Sequence, residues 1–303
     1  MESKIEIKIA EQAVLVPITM TKWSNRASSK LAAEEVEISN DAREKSSRCS
    51  VTLTDNSAVI GLQTLYGHIN NNVIKKYCIP WAKGTHLLPA ELIDDFERDI
   101  NNAIAEWNRL VEQVRVTYES SVQNARRPKP FGLGKLFNEQ WFPPVDEVVA
   151  KYSIEIKPYR MLSDPRHVDD IRVNLPQAKI DRMKADIEKE LVEVSKQTNI
   201  EVHKRITSAL ESLVDGLKRH GVKSEDDSKA GAFRDGTVTK MNELADIAKK
   251  LNVTGDATLD AAIDAIKKDL TDLQPDELRK DESKRKDVGS AAQKIIDDLD
   301  GAF

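Results

Sequence analysis

Three stretches of this chain combine cations with aromatic rings and contain no acid: residues 12–33, 56–90 and 120–138. The first holds Lys22, Trp23, Arg26 and Lys30, and the second Tyr66, Lys75, Lys76, Tyr77, Trp81 and Lys83. The third holds Arg126, Arg127, Lys129, Phe131, Lys135 and Phe137. Asp and Glu supply 51 of the 303 residues, so three long windows without either depart from the rest of the chain. Ten cations without a carboxylate between them can neutralise the phosphates of a polynucleotide and release its counterions. Accessible rings can stack on unpaired bases, worth about 1 to 3 kcal/mol per base. A duplex hides its base faces, and the sequence has no helix-turn-helix or zinc-finger signature for reading a groove. The pattern therefore predicts a protein that holds single-stranded DNA, provided that the three windows share one face. The competing reading puts Tyr77, Trp81 and Phe137 in the core, with Lys and Arg stems lying along apolar surface around them.

Other chemistry finds less support. The run FGLGK at residues 131–135 lacks the four-residue gap and the following Ser or Thr of a phosphate-binding loop. His68, His86, His167, His203 and His220 are scattered, and none stands in a spacing that ligates zinc. Asp169 and Asp170 are adjacent, but two carboxylates without a third ligand read as a solvated turn rather than a magnesium site. No nucleophile, base and orienting group can be picked out. The expectation is a binding protein and not an enzyme, with no cofactor and no metal.

The elements that must position the windows can be read from periodicity. Ile5, Ile7 and Ile9 alternate with charged residues and AVLVPITM follows, which predicts two opening strands with Pro17 at an edge or bulge. Val59, Leu62, Leu65, Tyr66, Ile69 and Val73 repeat at helical spacing, weakened near Asn70, Asn71 and Asn72. KKYCIPWAKGTHLL reads as strand and loop, and Pro89 as the start of a helix of about seven turns. That helix carries Leu92, Ile93, Phe96, Ile100, Ile104, Trp107, Val111, Val114 and Tyr118 as a core stripe and stops at Pro128 and Pro130. A short helix and the alternating run KYSIEIKPYR complete an α+β domain over residues 1–173. A long helical segment over 174–222 begins after Pro176 and ends near Gly221. An acidic helical region over 223–303 follows the linker-like SEDDSKAGAF, with Asp256 or Thr258 capping one of its helices. The predicted fold class is thus α+β, a small antiparallel sheet with long amphipathic helices followed by an all-α C-terminal region.

Charge is partitioned along the chain. Residues 223–303 carry 14 Lys and Arg against 19 Asp and Glu, whereas residues 1–222 carry 32 of each. The end of the chain, KIIDDLDGAF, places Asp297, Asp298 and Asp300 near Phe303, and it resembles the acidic, Phe-ended tails of bacterial and phage single-stranded-DNA-binding proteins. Such a tail can compete with nucleic acid for a basic groove or dock on a basic pocket of a partner protein. A frayed last helical turn is the competing reading. Cys49 and Cys78 are too few and too far apart for a disulfide framework, which fits a reducing compartment. With no signal-peptide pattern and no apolar run of about 20 residues, the expectation is a cytoplasmic protein without a membrane span.

The order of features from residue 13 to 175 is similar to a loosely defined family of phage and plasmid proteins of unknown function. The similarity rests on Lys22-Trp23 after the strands, the strand over residues 77–81, the helix start at Leu87-Leu88-Pro89 and the aromatic loop over 131–142. The whole chain also resembles the single-stranded-DNA-binding RNA polymerase cofactors of podoviruses that package their own polymerase. That resemblance implies a fold unlike the OB barrel, preference for single strands over duplex, and recruitment of a phage RNA polymerase to melted middle promoters in the host cytoplasm. Self-association through the long or acidic helices is expected as well. The alternative is a structural or adaptor protein of a phage-type complex, with the long helices forming an oligomer core.

Overall fold

The computed structural model describes residues 9–164, 175–219, 235–271 and 273–301. The elements are β1 (Ala13–Thr21), β2 (Arg26–Ser29), α1 (Lys30–Ser39), β3 (Cys49–Thr52), α2 (Ser57–His68), β4 (Ile79–Ala82), β5 (Thr85–Pro89) and α3 (Ile93–Ala125). They continue with α4 (Val145–Ala150), β6 (Ser153–Ile156), β7 (Arg160–Met161), α5 (Gln177–Arg219), α6 (Asp235–Leu251), α7 (Ala257–Asp269), α8 (Pro275–Lys280) and α9 (Glu282–Asp300). The protein is α+β, a small antiparallel sheet with long helices and a C-terminal all-helical region. Among the described residues the strand order β4-β5-β1-β6 is that of an open sheet and not of a closed barrel.

The chain forms two compact units that cut across the sequence segments 1–173, 174–222 and 223–303. One comprises Met1–Val16, Lys76–Ile93 and Pro158–Phe303; the other comprises Pro17–Lys75 and Asp94–Lys157. The division passes through β1 at Pro17. Before it, Val14 and Leu15 pair with Met161 and Arg160 of β7; after it, Ile18, Thr19, Met20 and Thr21 pair with β6. Pro17 has no N–H to give to a ladder, and it sits where β1 changes partner, its carbonyl accepting from the Lys157 N–H at 3.0 Å. This corrects the reading of an edge: β1 lies inside the strand order.

In the first unit the hairpin of β4 and β5 turns at Gly84, whose φ of 72° lies in the left-handed region open to glycine. The helices α5, α6, α7 and α9 pack together, burying Leu191, Val202, Ile206, Leu210 and Leu213 of α5 against Leu259, Ile263, Ile295 and Leu299 among others. Asp256 caps α7 by accepting from the N–H groups of Thr258 and Leu259, so of the two candidates the structure uses the aspartate. Ile9 lies in a helical turn that runs through Gln12 rather than at the end of a strand, a correction to the alternating pattern; residues 1–8, which hold Ile5 and Ile7, lie outside the described residues, as does the SEDDSKAGAF segment.

In the second unit α3 is the spine. Phe96, Ile100, Trp107, Val114 and Tyr118 are buried along the expected stripe, whereas Ile104 and Val111 are only half-buried and Leu110, outside that stripe, takes a core position; Trp107 meets Tyr152 edge-on at 5.9 Å. Asn56 fastens α2 to this spine: its side-chain oxygen caps α2 at the N–H groups of Ala58 and Val59, and its amide donates to Thr117 at 2.9 Å and Ser121 at 2.7 Å. At its far end α2 widens into a π-helical turn over Ile69–Ile74, where the three asparagines weaken the α-helix as expected. The ribbon of β2 and β3 and the helix α1 occupy residues for which the hydrophobic period made no prediction.

Candidate nucleic-acid interface

The loop after α3 carries the third basic window, and its backbone is tightly held. Leu133 N–H donates to the Ala125 carbonyl at 2.9 Å, Gly134 N–H to Arg127 at 3.0 Å, and Phe131 N–H to Pro128 at 3.2 Å. The loop therefore folds back over the end of α3 and satisfies carbonyls that the helix leaves open. The glycines of FGLGK make this possible. A Cβ on Gly132 would lie 2.3 Å from the carbonyl oxygens of Asn124 and Arg127, and Gly134 has a φ of +54°. What resembles a fragment of a phosphate loop is a helix-terminating fold-back.

This fold-back presents Phe131 with 65% of its surface exposed, beside the exposed side chains of Arg127 and Lys129. Phe131, Gly132 and Leu133 line one side of a hollow of about 350 Å³, and Ala125 and Pro130 also line it. Thr52, Leu53, Thr54, Asp55 and Ile60 complete the lining. Ile60, 49% exposed, gives the hollow an aliphatic surface in addition to the ring of Phe131. Arg26 is the cross-strand partner of Thr52, so these two exposed side chains project from the same face of the ribbon. The turn into that ribbon is locked by Asn25, at φ 53°, whose side chain donates to the Thr54 carbonyl and accepts from the Thr54 N–H. The lining of the hollow thus joins Ile60 of the second window to the third window; of the first window Arg26 comes near it only as the cross-strand partner of Thr52, and Asp55, outside all three windows, places a carboxylate in the lining.

The remaining candidates divide. Lys22 is exposed, with its ammonium 4.2 Å from the centre of the Tyr66 ring, while Lys30 is exposed at the start of α1. Lys75 is exposed and donates to Asn71. Lys76, Tyr77, Trp81 and Lys83 belong to the first unit, so the second window is split between the units. Lys83 is exposed and Trp81 half-buried on the β4–β5 hairpin, and Lys76 stands 4.9 Å over the Tyr77 ring. Lys135 is exposed on a short 3₁₀ turn.

Three expectations need correction. Trp23 and Tyr77 are core residues, 5% and 3% exposed. Trp23 packs edge-on against Tyr118 at 5.8 Å, and a base cannot lie on a ring whose faces are covered. Arg126 is not free of carboxylates, because Glu139, one residue past the acid-free window, returns to form an ion pair with it. The same guanidinium lies 5.3 Å from the Phe137 ring, which stacks on Phe142 at 5.1 Å. Arg126 thus ties the two halves of the loop together, leaving Arg26, Arg127, Lys129 and Lys135 without an ion pair among the described residues. Tyr118 secures the second half, donating to the Pro143 carbonyl at 2.9 Å, and burial pushes its hydroxyl up to about 12.

At the C-terminus, Asp297, Asp298 and Asp300 project from α9 as exposed side chains, while Ile295, Ile296 and Leu299 of the same turns are buried. Through Asp300 this is a packed helix and not an extended tail, because those apolar residues anchor it to α5 and α7. Asp300 stands 3.3 Å from His203 of α5. Phe303 lies outside the described residues.

Sequence reasoning missed Thr52, Asp55 and Ile60. Ile60 was detectable as the large apolar residue of α2 that falls off the core stripe of Val59 and Leu62. Asp55 and Thr52 gave no signal, since only the ribbon's fold brings them to the loop. Among the described residues no group of three or more His, Cys, Asp or Glu side chains gathers to hold a metal ion, and no helix is long and apolar enough to cross a membrane. Comparison of the chain with protein-family models, with curated proteins and with solved structures finds no match.

Proposed function

We propose that the protein binds single-stranded DNA at the hollow between Phe131 and Ile60. The observation that carries this reading is Phe131: a large ring, mostly exposed, on a hydrogen-bonded loop beside Arg127 and Lys129, which form no ion pair among the described residues. A loop backbone fixed in advance loses little freedom when a base stacks on the ring it carries. Arg127 and Lys129, next in the chain to the lining residues Pro130 and Phe131, and Arg26, across the ribbon from the lining residue Thr52, supply positive charge for a backbone, against the single negative charge of Asp55 in the lining. The apolar wall at Ile60 suits the second face of a planar base. Among the described residues that line the hollow none belongs to a helix offered to a groove, which favours unpaired strands over duplex. A role in transcription, holding melted promoter DNA for an RNA polymerase, rests on the family resemblance alone and on no feature of the fold. The alternative of an adaptor acting through helical association draws on a separate observation, the length of α5, whose buried residues begin only at Leu191.

The test is binding of a labelled oligothymidylate at two salt concentrations. Affinity should fall with salt by a logarithmic slope of roughly 0.7 per phosphate contacted. Replacing Arg127 and Lys129 together by alanine should weaken binding and flatten that slope. Absent binding, or binding indifferent to both salt and these residues, refutes the proposal.

A further inference from the structure

Asp55 is the one carboxylate in the lining of the hollow at Phe131. A negative charge works against a polyanion, so its place there calls for an occupant that donates hydrogen bonds. The side chain is exposed and makes no hydrogen bond or ion pair among the described residues.

Asp55 is held in position from both sides. Thr54 before it is buried and clamped by Asn25, which donates to the Thr54 carbonyl at 2.8 Å and accepts from its N–H at 3.0 Å. Asn56 after it is buried too, with its oxygen on the N–H groups of Ala58 and Val59 and its amide on Thr117 and Ser121. Asn56 thus does the capping of α2, and the Asp55 carboxylate is left over for the hollow. A charge next to the N-terminus of α2 gains from the helix dipole, but that gain does not require it to share a hollow with Phe131.

A base stacked on Phe131 strips water from Asp55, which is costly unless the base gives hydrogen bonds back. The four bases differ in what they can give. Guanine presents two donors side by side, N1–H and the 2-amino group, which match the two oxygens of one carboxylate. Thymine has a single N–H between two carbonyl oxygens, and those oxygens repel the carboxylate. Adenine and cytosine each set an amino group beside a ring nitrogen that only accepts. Guanine alone can satisfy both oxygens. The volume of about 350 Å³ lies at the low end for small-molecule sites, which suits one nucleotide and not a run of them.

We propose that Asp55 makes the hollow selective for guanine, its carboxylate accepting from N1–H and the 2-amino group of a base stacked on Phe131. The inference rests on the reading of the hollow as a strand-binding site.

The test is fluorescence anisotropy with labelled strands of equal length: oligothymidylate, and the same strand with guanosine, adenosine or inosine at every third position. This spacing keeps guanines from gathering into quartets, and adenosine controls for the stacking that any purine brings. The guanosine strand should bind roughly tenfold more tightly than the adenosine strand, as one bidentate contact to a base allows. Inosine keeps N1–H but lacks the amino group, and should lose most of that gain. Asp55→Ala should level the guanosine and adenosine strands, weakening the first while tightening oligothymidylate, whose carbonyls no longer face a charge. Opposite changes on two strands do not arise from a misfolded variant. The proposal alone is overturned if oligothymidylate binds with dependence on salt, Arg127 and Lys129, yet guanosine brings no advantage, or the advantage survives Asp55→Ala or is kept in full by inosine. If no strand binds, or binding ignores salt and those cations, the strand-binding reading falls and this one with it.

Discussion

Replacing Phe131 by alanine separates a binding ring from a structural one. The side chain is 65% exposed, so only about a third of it contributes to folding, and the loop's conformation is held by backbone hydrogen bonds from Leu133, Gly134 and Phe131 itself, which the substitution keeps. Stability should therefore change by no more than about 0.5 kcal/mol, the range of ordinary surface substitutions. Binding should respond far more. Loss of one base stack costs about 1 to 3 kcal/mol, a drop in affinity of roughly 5- to 150-fold at 1.4 kcal/mol per factor of ten. No charge is removed, so the salt slope should stay that of the parent. Fluorescence anisotropy with an oligothymidylate at several salt concentrations measures both quantities, and thermal unfolding of the same samples measures stability. Phe131→Trp should retain or improve binding. An alanine variant that binds within twofold of the parent, with its stability intact, refutes the stacking argument; one that loses stability in proportion to affinity shows Phe131 to be a packing residue.

Asn56→Ala removes the cap of α2 and both amide hydrogen bonds to α3, and should destabilise by about 2 to 3 kcal/mol, read from the urea midpoint. Asn56→Asp, which keeps the capping oxygen, should lose less. Glu37 is held below the usual carboxylate range, chiefly by the Ser47 N–H and also by the Lys45 N–H, against the opposing effect of its own burial. Its contribution is present above the ordinary glutamate value and is lost as the pH falls through the depressed one. Hydrogen exchange at the Lys45 and Ser47 amides, corrected for intrinsic rate, should lose protection in that acid window, and in Glu37→Ala at every pH. Burial pushes the Cys78 thiol up to about 12, so the folded protein should resist alkylation there at pH 8 while the half-buried Cys49 reacts; peptide mass spectrometry reads both sites, and both should label in urea.

The long helices were legible from the sequence because their packing is local and periodic. The stripe from Leu92 to Tyr118 and the arrest at Pro128 follow from side chains meeting every third or fourth residue and from a missing N–H, and neither needs a distant partner. The same holds for Pro176 before α5 and for Asp256 as a cap. The acid-free windows were equally plain as composition. What composition could not decide is which ring faces solvent. Trp23 and Phe131 sit in similar cationic surroundings along the chain, but Tyr118 covers the first, while the fold-back over the end of α3 turns the second outward. Glu139 reached Arg126, and Thr52 and Ile60 came to line the hollow with Phe131, through contacts between residues far apart in sequence. Burial of a ring and pairing of a charge depend on such contacts, which no local spacing encodes. The residue types were therefore determined by the sequence alone, and the choice of which of them form a surface was made only by the tertiary structure.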